Sequence, residues 1–158
     1  MQLWLLRHAR ARAASGGEKD RERPLSDSGR HTAARLGEWI RENAGSLPGR
    51  ILVSPALRTR QTADLVLAQT DAEPSVEPRL WDALEEDLVR IINDNVDAED
   101  GLMLIAHNPS LEWLVQWLSN QRLRLGMQPG TLAVMDIEVP PAPGSGRLEK
   151  LVQPSDLA

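Results

Sequence analysis

No cysteine occurs among the 158 residues of this chain. Disulfides, thiolate metal sites and a cysteine nucleophile are therefore excluded, and with them thiol-based phosphatase or protease chemistry. Lysine is nearly absent, Lys19 and Lys150 being the only two. Positive charge is carried by arginine, whose planar fork suits carboxylate and phosphate oxygens, although a compositional bias of the genome produces the same imbalance. A basic surplus is also missing. The formal net charge is -5, which argues against nucleic acid as the main partner, because a phosphate backbone demands a basic face. No apolar run approaches transmembrane length, and the short N-terminal run has no basic leader of the signal-peptide kind. A cytoplasmic protein without a membrane partner is the expectation. The length suits one domain over residues 1–158, with a core large enough to need no covalent staple.

What is present begins with Leu3-Trp4-Leu5-Leu6, a short apolar run cut off by Arg7 and His8. Such a run reads as a strand buried on both faces, and a polar pair at its end marks either the rim of a site or a strand reaching solvent. Residues 10–23 are small, polar and charged, which reads as a loop. Ser26 is a good N-cap, and Ala33, Leu36, Gly37 and Ile40 follow at helical spacing to about Asn43. His31 falls on the opposite face of that helix, where solvation is expected. Ile51-Leu52-Val53 is a second strand, ended by Ser54-Pro55; Ser54 is the expected cap and Pro55 the first residue of a helix reaching about Gln69. Arg58, on its first turn, leans back toward the strand end.

Residues 70–79 read as loop. Leu84, Leu88, Ile91 and Ile92 mark a third helix, opened by Asp82 with Glu85 three residues on. That spacing is a capping pattern, which competes with a general-acid role for either carboxylate. The clearest buried strand, Gly101 to Ala106, ends in His107-Asn108-Pro109, with Asn108 the expected cap and Pro109 the expected first helical residue. Residues 131–139 and 147–153 read as two further strands joined by a Pro/Gly linker. Trp81, Trp113 and Trp117 read as core, or as an exposed patch if the protein is a binding module.

Three rounds of strand and helix imply a single-domain α/β fold, a three-layer α/β/α sandwich with a mostly parallel central sheet and helices on both faces. Parallel strands end at one edge, so Arg7, His8, Ser54, Arg58 and His107 would meet over a common crevice. Two arginines, two histidines and two helix N-termini there suit an anion, and a phosphoryl group better than a carboxylate. No coiled-coil heptads are present, and a monomer is expected.

Four segments carry a family resemblance. Leu6-Arg7-His8-Ala9-Arg10-Ala11 resembles the RHA/RHG signature of the histidine phosphatase superfamily, the phosphoglycerate mutase-like proteins. Arg23-Pro24-Leu25-Ser26-Asp27-Ser28-Gly29 resembles its R-P-L-[ST]-x-x-G segment, Ser54 to Ala63 its S-P-x-x-R-x-x-Q-T-A segment, and Ala106-His107-Asn108-Pro109 its G-H-N-P segment. The short length and lack of long insertions look most like the branch of small bacterial phosphohistidine phosphatases named SixA. The resemblance implies a nucleophile at His8, with Arg7, Arg58 and His107 binding the phosphoryl group and His107 adding donors when protonated. It implies no cofactor, and no His/Asp/Glu cluster has metal-ligand spacing. The implied substrate is a phosphorylated protein, a histidine-containing phosphotransfer domain in a signalling relay. A small phosphorylated molecule, or a module that binds phosphohistidine without turnover, is the alternative. Ala9 and Ala106 stand where glycine is frequent in the superfamily, which implies a slightly tighter pocket.

Overall fold

The strand β1 (Gln2–Arg7) lies inside the sheet and divides two cores. Leu3 and Leu5 face one side and Trp4 and Leu6 the other, all four buried. The computed structural model describes residues 1–157, and in it β4 (Leu102–Ala106) repeats this alternation next to β1. Strands buried on both faces require a helical layer on each. One layer is α3 (Glu85–Asp94) and α4 (Ser110–Ser119), which supply Leu88, Ile91, Leu114 and Leu118. The other is α1 (Asp27–Asn43) and α2 (Leu57–Val66), which supply Leu36, Ile40, Ala63 and Val66. Each such Leu, Ile or Val side chain contributes about 1.5–3 kcal/mol when fully buried. The three-layer α/β/α arrangement read from the sequence is the one observed.

With β2 (Arg50–Val53), β3 (Ser75–Val76), β5 (Leu132–Ile137) and β6 (Gly146–Val152), the six-stranded sheet runs β3-β2-β4-β1-β5-β6. β1, β2, β3 and β4 are mutually parallel, and β5 is antiparallel to both of its neighbours. Arg7 pairs with Ala106 and Val53 with Ile105, so β1, β4 and β2 end side by side. The ladders continue one residue further, where His8 N–H donates to Ala106 O at 3.1 Å and Ser54 N–H to Ile105 O at 3.0 Å. The carboxyl ends of three adjacent parallel strands thus form the floor of one edge.

Ser26 caps α1 as expected, its Oγ accepting from Gly29 N–H at 3.0 Å. Gly29 itself is forced by contact, since a Cβ there would collide with the Arg10 carbonyl. His31 is exposed.

Several boundaries differ from the sequence reading. α2 starts at Leu57 and ends at Val66, with Ala56 at its cap, so Ser54 and Pro55 lie before the helix. α4 starts at Ser110, with Pro109 at the cap position; Asn108 caps from one residue further out, its Oδ1 accepting from Glu112 N–H at 3.2 Å. α3 is opened by Leu84 and not by Asp82; Asp87 accepts from the Leu84 N–H at 2.9 Å. Asp82 has a left-handed backbone (φ 54°), which a helix-capping residue does not adopt. The loop over 70–79 contains the two-residue strand β3, whose pairing needs too few residues to leave a periodic signal.

Candidate active site

Of the five residues expected to meet, four line a common pocket, and the fifth, Ser54, is buried behind His107. Arg7, His8, Arg58 and His107 line one open pocket of about 380 Å³ at the carboxyl edge of the sheet, with Asp20, Arg23, Trp81 and Asp82 on its rim. Two larger clefts, each about 530 Å³, lie elsewhere: one beside Arg10 and Ser28, one between α3 and α4. Neither combines histidines with guanidinium groups, so chemistry and not size singles out the smaller pocket.

The sequence segments around these residues hold one another in place. Thr62 Oγ1 accepts from the Ala9 N–H at 3.1 Å and donates to the Arg58 carbonyl at 2.7 Å, joining the loop after β1 to α2. Gln61 Oε1 accepts from the Leu25 N–H at 2.8 Å. Thr59 Oγ1 donates back to the Ser54 carbonyl at 2.8 Å. The Gln-Thr pair therefore ties three stretches distant in sequence, and a change to Ala would leave buried backbone donors unpaired.

His8 Nδ1 lies 2.7 Å from the Ala9 carbonyl. Only a protonated Nδ1 can donate there, so the neutral ring carries its lone pair on Nε2. Burial pushes the His8 pKa down to about 4, with Arg58, Arg7 and Arg23 acting in the same direction against the opposing Ala9 hydrogen bond. The His107 ring centre is 5.3 Å from that of His8, and its pKa is lowered to about 3, by burial first and then by His8 and Arg58. In the free protein His107 is thus neutral near pH 7. Its Nε2 meets Ser54 Oγ at 2.7 Å. Ser54 Oγ also accepts from the Ala56 N–H at 3.4 Å, and the buried hydroxyl has no other acceptor among the described residues, so its proton points to His107 Nε2 and the ring proton resides on Nδ1. Ser54, expected as a helix cap, is instead the orienting partner of a histidine.

Arg7 is held from behind the pocket and Arg58 from its rim. Arg7 Nη1 donates to the Met127 carbonyl at 2.7 Å, and Asn108 Nδ2 donates to the same oxygen at 3.0 Å. Arg58 is 6% exposed; its Nη1 donates to the Asp20 carbonyl at 2.8 Å and its Nη2 to Asp20 Oδ2 at 3.2 Å. Arg7 Nε and Arg58 Nε are buried without a hydrogen-bond partner among the described residues. Burial lowers the pKa of both guanidinium groups, yet from an ordinary value so high that both remain charged. Trp81 closes one wall, 5.5 Å from the Arg58 guanidinium and edge-on to His107. Buried charge with unpaired donors is costly without an anion, so the pocket suits an oxyanion able to accept from several directions at once.

Of the two carboxylates considered as acids, Asp82 lies on the rim and Glu85 does not; Glu85 belongs to the cleft between α3 and α4. Asp20 and Trp81 were not assigned to the site from sequence. The loop carrying Asp20 has no periodicity to place it, and the one available signal was its spacing to Arg23, with which it pairs at 2.7 Å. Among the described residues no group of three or more His, Asp or Glu could hold a metal ion.

Comparison with known proteins gives concordant results. Residues 3–88 match the histidine phosphatase superfamily, branch 1. A phosphohistidine phosphatase SixA homolog of Haemophilus influenzae is 23% identical over 145 residues, covering 84% of this chain and 86% of that one. An uncharacterized protein of Mycobacterium tuberculosis is 34% identical over 107 residues, 66% of this chain and 64% of its own length. Among solved structures, the protein histidine phosphatase SixA complexed with tungstate superposes with a TM-score of 0.85 at 21% identity, covering 100% of both chains. The alpha-ribazole phosphatase of Shigella flexneri gives 0.74 at 17% identity, covering 98% of this chain and 97% of that one.

Proposed function

From the chain's membership of the histidine phosphatase superfamily, we propose that it is a phosphatase acting through a phosphorylated His8, with phosphohistidine of a phosphotransfer protein as its substrate. The observation that carries this reading is the convergence of His8, its Nε2 lone pair free, with Arg7, Arg58 and His107 on one pocket.

In the proposed reaction His8 Nε2 forms a bond to phosphorus as the phosphorus–nitrogen bond of the substrate breaks, and the substrate ring, already protonated from solvent on its other nitrogen, departs as neutral imidazole. Water then attacks the phosphoryl group on His8, releasing phosphate and restoring the neutral ring. A nucleophile with a pKa near 4 is unprotonated at neutral pH and needs no base to activate it. Arg7 and Arg58 supply fixed positive charge for the phosphoryl oxygens, and His107 Nδ1–H adds a donor, so the transfer proceeds without a metal ion. A bound phosphoryl dianion raises the His107 pKa by direct charge attraction and strengthens that donor.

The leaving group decides between substrate classes. An alkoxide must be protonated as it leaves, whereas imidazole leaves readily. Asp20 is engaged with two arginines, and its pKa is lowered, first by the Arg23 hydrogen bond. That is poor equipment for an acid, and it favours a phosphorus–nitrogen bond over an ester. Transfer between two imidazoles is also nearly balanced in free energy. Asp82 on the rim favours the second reading, a phosphomonoesterase for a small molecule. Turnover of a phosphohistidine peptide, an activated aryl phosphate and an alkyl phosphate separates the two: the proposal expects the alkyl ester to lag far behind, and equal turnover of all three would contradict it.

A further inference from the structure

A cleft of about 530 Å³ separates α3 from α4, lined by Leu84, Glu85, Glu86, Val89, Trp113 and Trp117, with Arg90 beside them. Its floor is apolar. Trp113 and Trp117 stack at 5.1 Å with their planes 19° apart, and neither is fully buried. Leu84 is 59% exposed, an exposure with no structural purpose, since Asp or Ser would serve better at that helix-capping position.

The residues that line the cleft follow directly along the chain from those that line the phosphoryl pocket. Asp82 and Ala83 line the pocket, and Leu84 and Glu85 line the cleft; Pro109 and Ser110 line the pocket, and Trp113 opens the cleft one turn later. From Ser110 to Trp117 the axis of α4 advances about 10 Å. An apolar strip about two helical turns long therefore leads away from the mouth of the site. The rim is acidic at its near end, where Glu85 and Glu86 stand on the first turn of α3.

We propose that this cleft is the docking groove for the helix that carries the phosphohistidine, an amphipathic segment with apolar residues three, four and seven positions beyond the modified histidine and lysine or arginine alongside them. This rests on the phosphohistidine reading above. Apolar side chains at those offsets share one helix face and span the same two turns as Leu84, Trp113 and Trp117. The basic flank meets Glu85 and Glu86. The charged groups of the open pocket address the phosphoryl group, so the groove supplies recognition of the segment that carries it.

Two synthetic helical peptides test this, both phosphorylated on one histidine: one with leucines at the +3, +4 and +7 positions and lysines beside them, the other with the same residues rearranged so that the leucines scatter. Free phosphohistidine is the third substrate. The wild-type protein is expected to turn over the ordered peptide with a kcat/KM about tenfold above the scattered one, mostly through KM. L84D, which supplies a better cap for α3, and E86K are each expected to abolish that preference while leaving turnover of free phosphohistidine unchanged. Equal rates for the two peptides, or a preference that survives L84D, would overturn the groove. A loss of free phosphohistidine turnover in both variants would overturn it as well, by tying these residues to the fold. If none of the phosphohistidine substrates reacts while an alkyl phosphate does, the functional reading itself fails.

Discussion

The carboxylate of Asp20 rests on the guanidinium of Arg58, accepting from Nη2 at 3.2 Å while Arg23 Nε donates to its other oxygen at 2.7 Å. An acidic side chain thus occupies donors that a phosphoryl group would use. Asp20 is exposed over 59% of its side chain and Arg58 over 7%, so the carboxylate can swing into solvent while the guanidinium stays. An incoming oxyanion must displace it. Asp20→Asn removes the competing charge but keeps the backbone carbonyl that holds Arg58 Nη1. Tungstate or vanadate, measured by calorimetry, is expected to bind the variant about three- to tenfold more tightly. Unchanged or weaker binding would show that Asp20 organises the site and does not compete for it.

Ser54 is expected to matter through His107. Its hydroxyl holds Nε2 at 2.7 Å and so keeps the ring proton on Nδ1. Ser54→Ala frees the ring to change tautomer, which is predicted to lower kcat about tenfold with little change in KM. Because no charge is lost, the variant's anion affinity should stay near that of the wild type. A variant with unaltered kcat would reduce the Ser54–His107 contact to packing.

The histidines also set the acid response. His8 titrates at about 4 and His107 at about 3, both below the ordinary value of 6.5. Between those values the unfolded chain binds protons that the folded chain refuses, so stability is complete above pH 6.5 and is lost as pH falls through the window toward the folded values. The urea midpoint of the wild type is predicted to fall from pH 7 to about pH 4.5, and to fall less steeply in His107→Gln. Parallel slopes would contradict the burial argument. In turnover, the acid limb of kcat/KM governed by His8 belongs near pH 4, not 6.5, once the substrate's own titration is subtracted.

Asp82 offers a separate test of substrate class. Among the described residues it is the rim carboxylate without an ion-pair partner, in contrast to Asp20. Asp82→Asn is predicted to leave phosphohistidine turnover within about twofold of wild type and to lower alkyl phosphate turnover about tenfold or more, since an alkoxide needs the proton and an imidazole does not. A large loss with phosphohistidine would make Asp82 an acid for the proposed substrate too.

Much of the fold and of the pocket was legible because it is written in local patterns. The apolar runs at Leu3–Leu6 and Leu102–Ala106 identify strands buried on both faces, and their shared direction brings Arg7, His8 and His107 to one edge. Ser26 is an N-cap in sequence and in structure. What was not legible depends on contacts across the chain. Asp20 reaches Arg58 from a loop with no period, and Ser54 meets His107 from a strand 53 residues away. Asp82 differs for another reason: Asp-x-x-Glu spacing satisfies a capping rule, yet the helix opens two residues later, where Asp87 accepts from the Leu84 N–H. Nothing in residue order reveals a left-handed backbone at a non-glycine position such as Asp82.

The central claim is that His8 makes the bond and the groups around it lower its barrier. Rapid quenching after mixing with a phosphohistidine substrate labelled on phosphorus tests this directly, with the protein analysed for acid-labile, alkali-stable label. Label on His8 that forms and decays at the rate of turnover is the predicted result. It should be absent in His8→Ala, which still binds tungstate, and reduced in Arg58→Ala, which binds tungstate about tenfold or more weakly. Phosphate release by the wild type with no label at His8 at any time, or undiminished release by His8→Ala, would contradict the account.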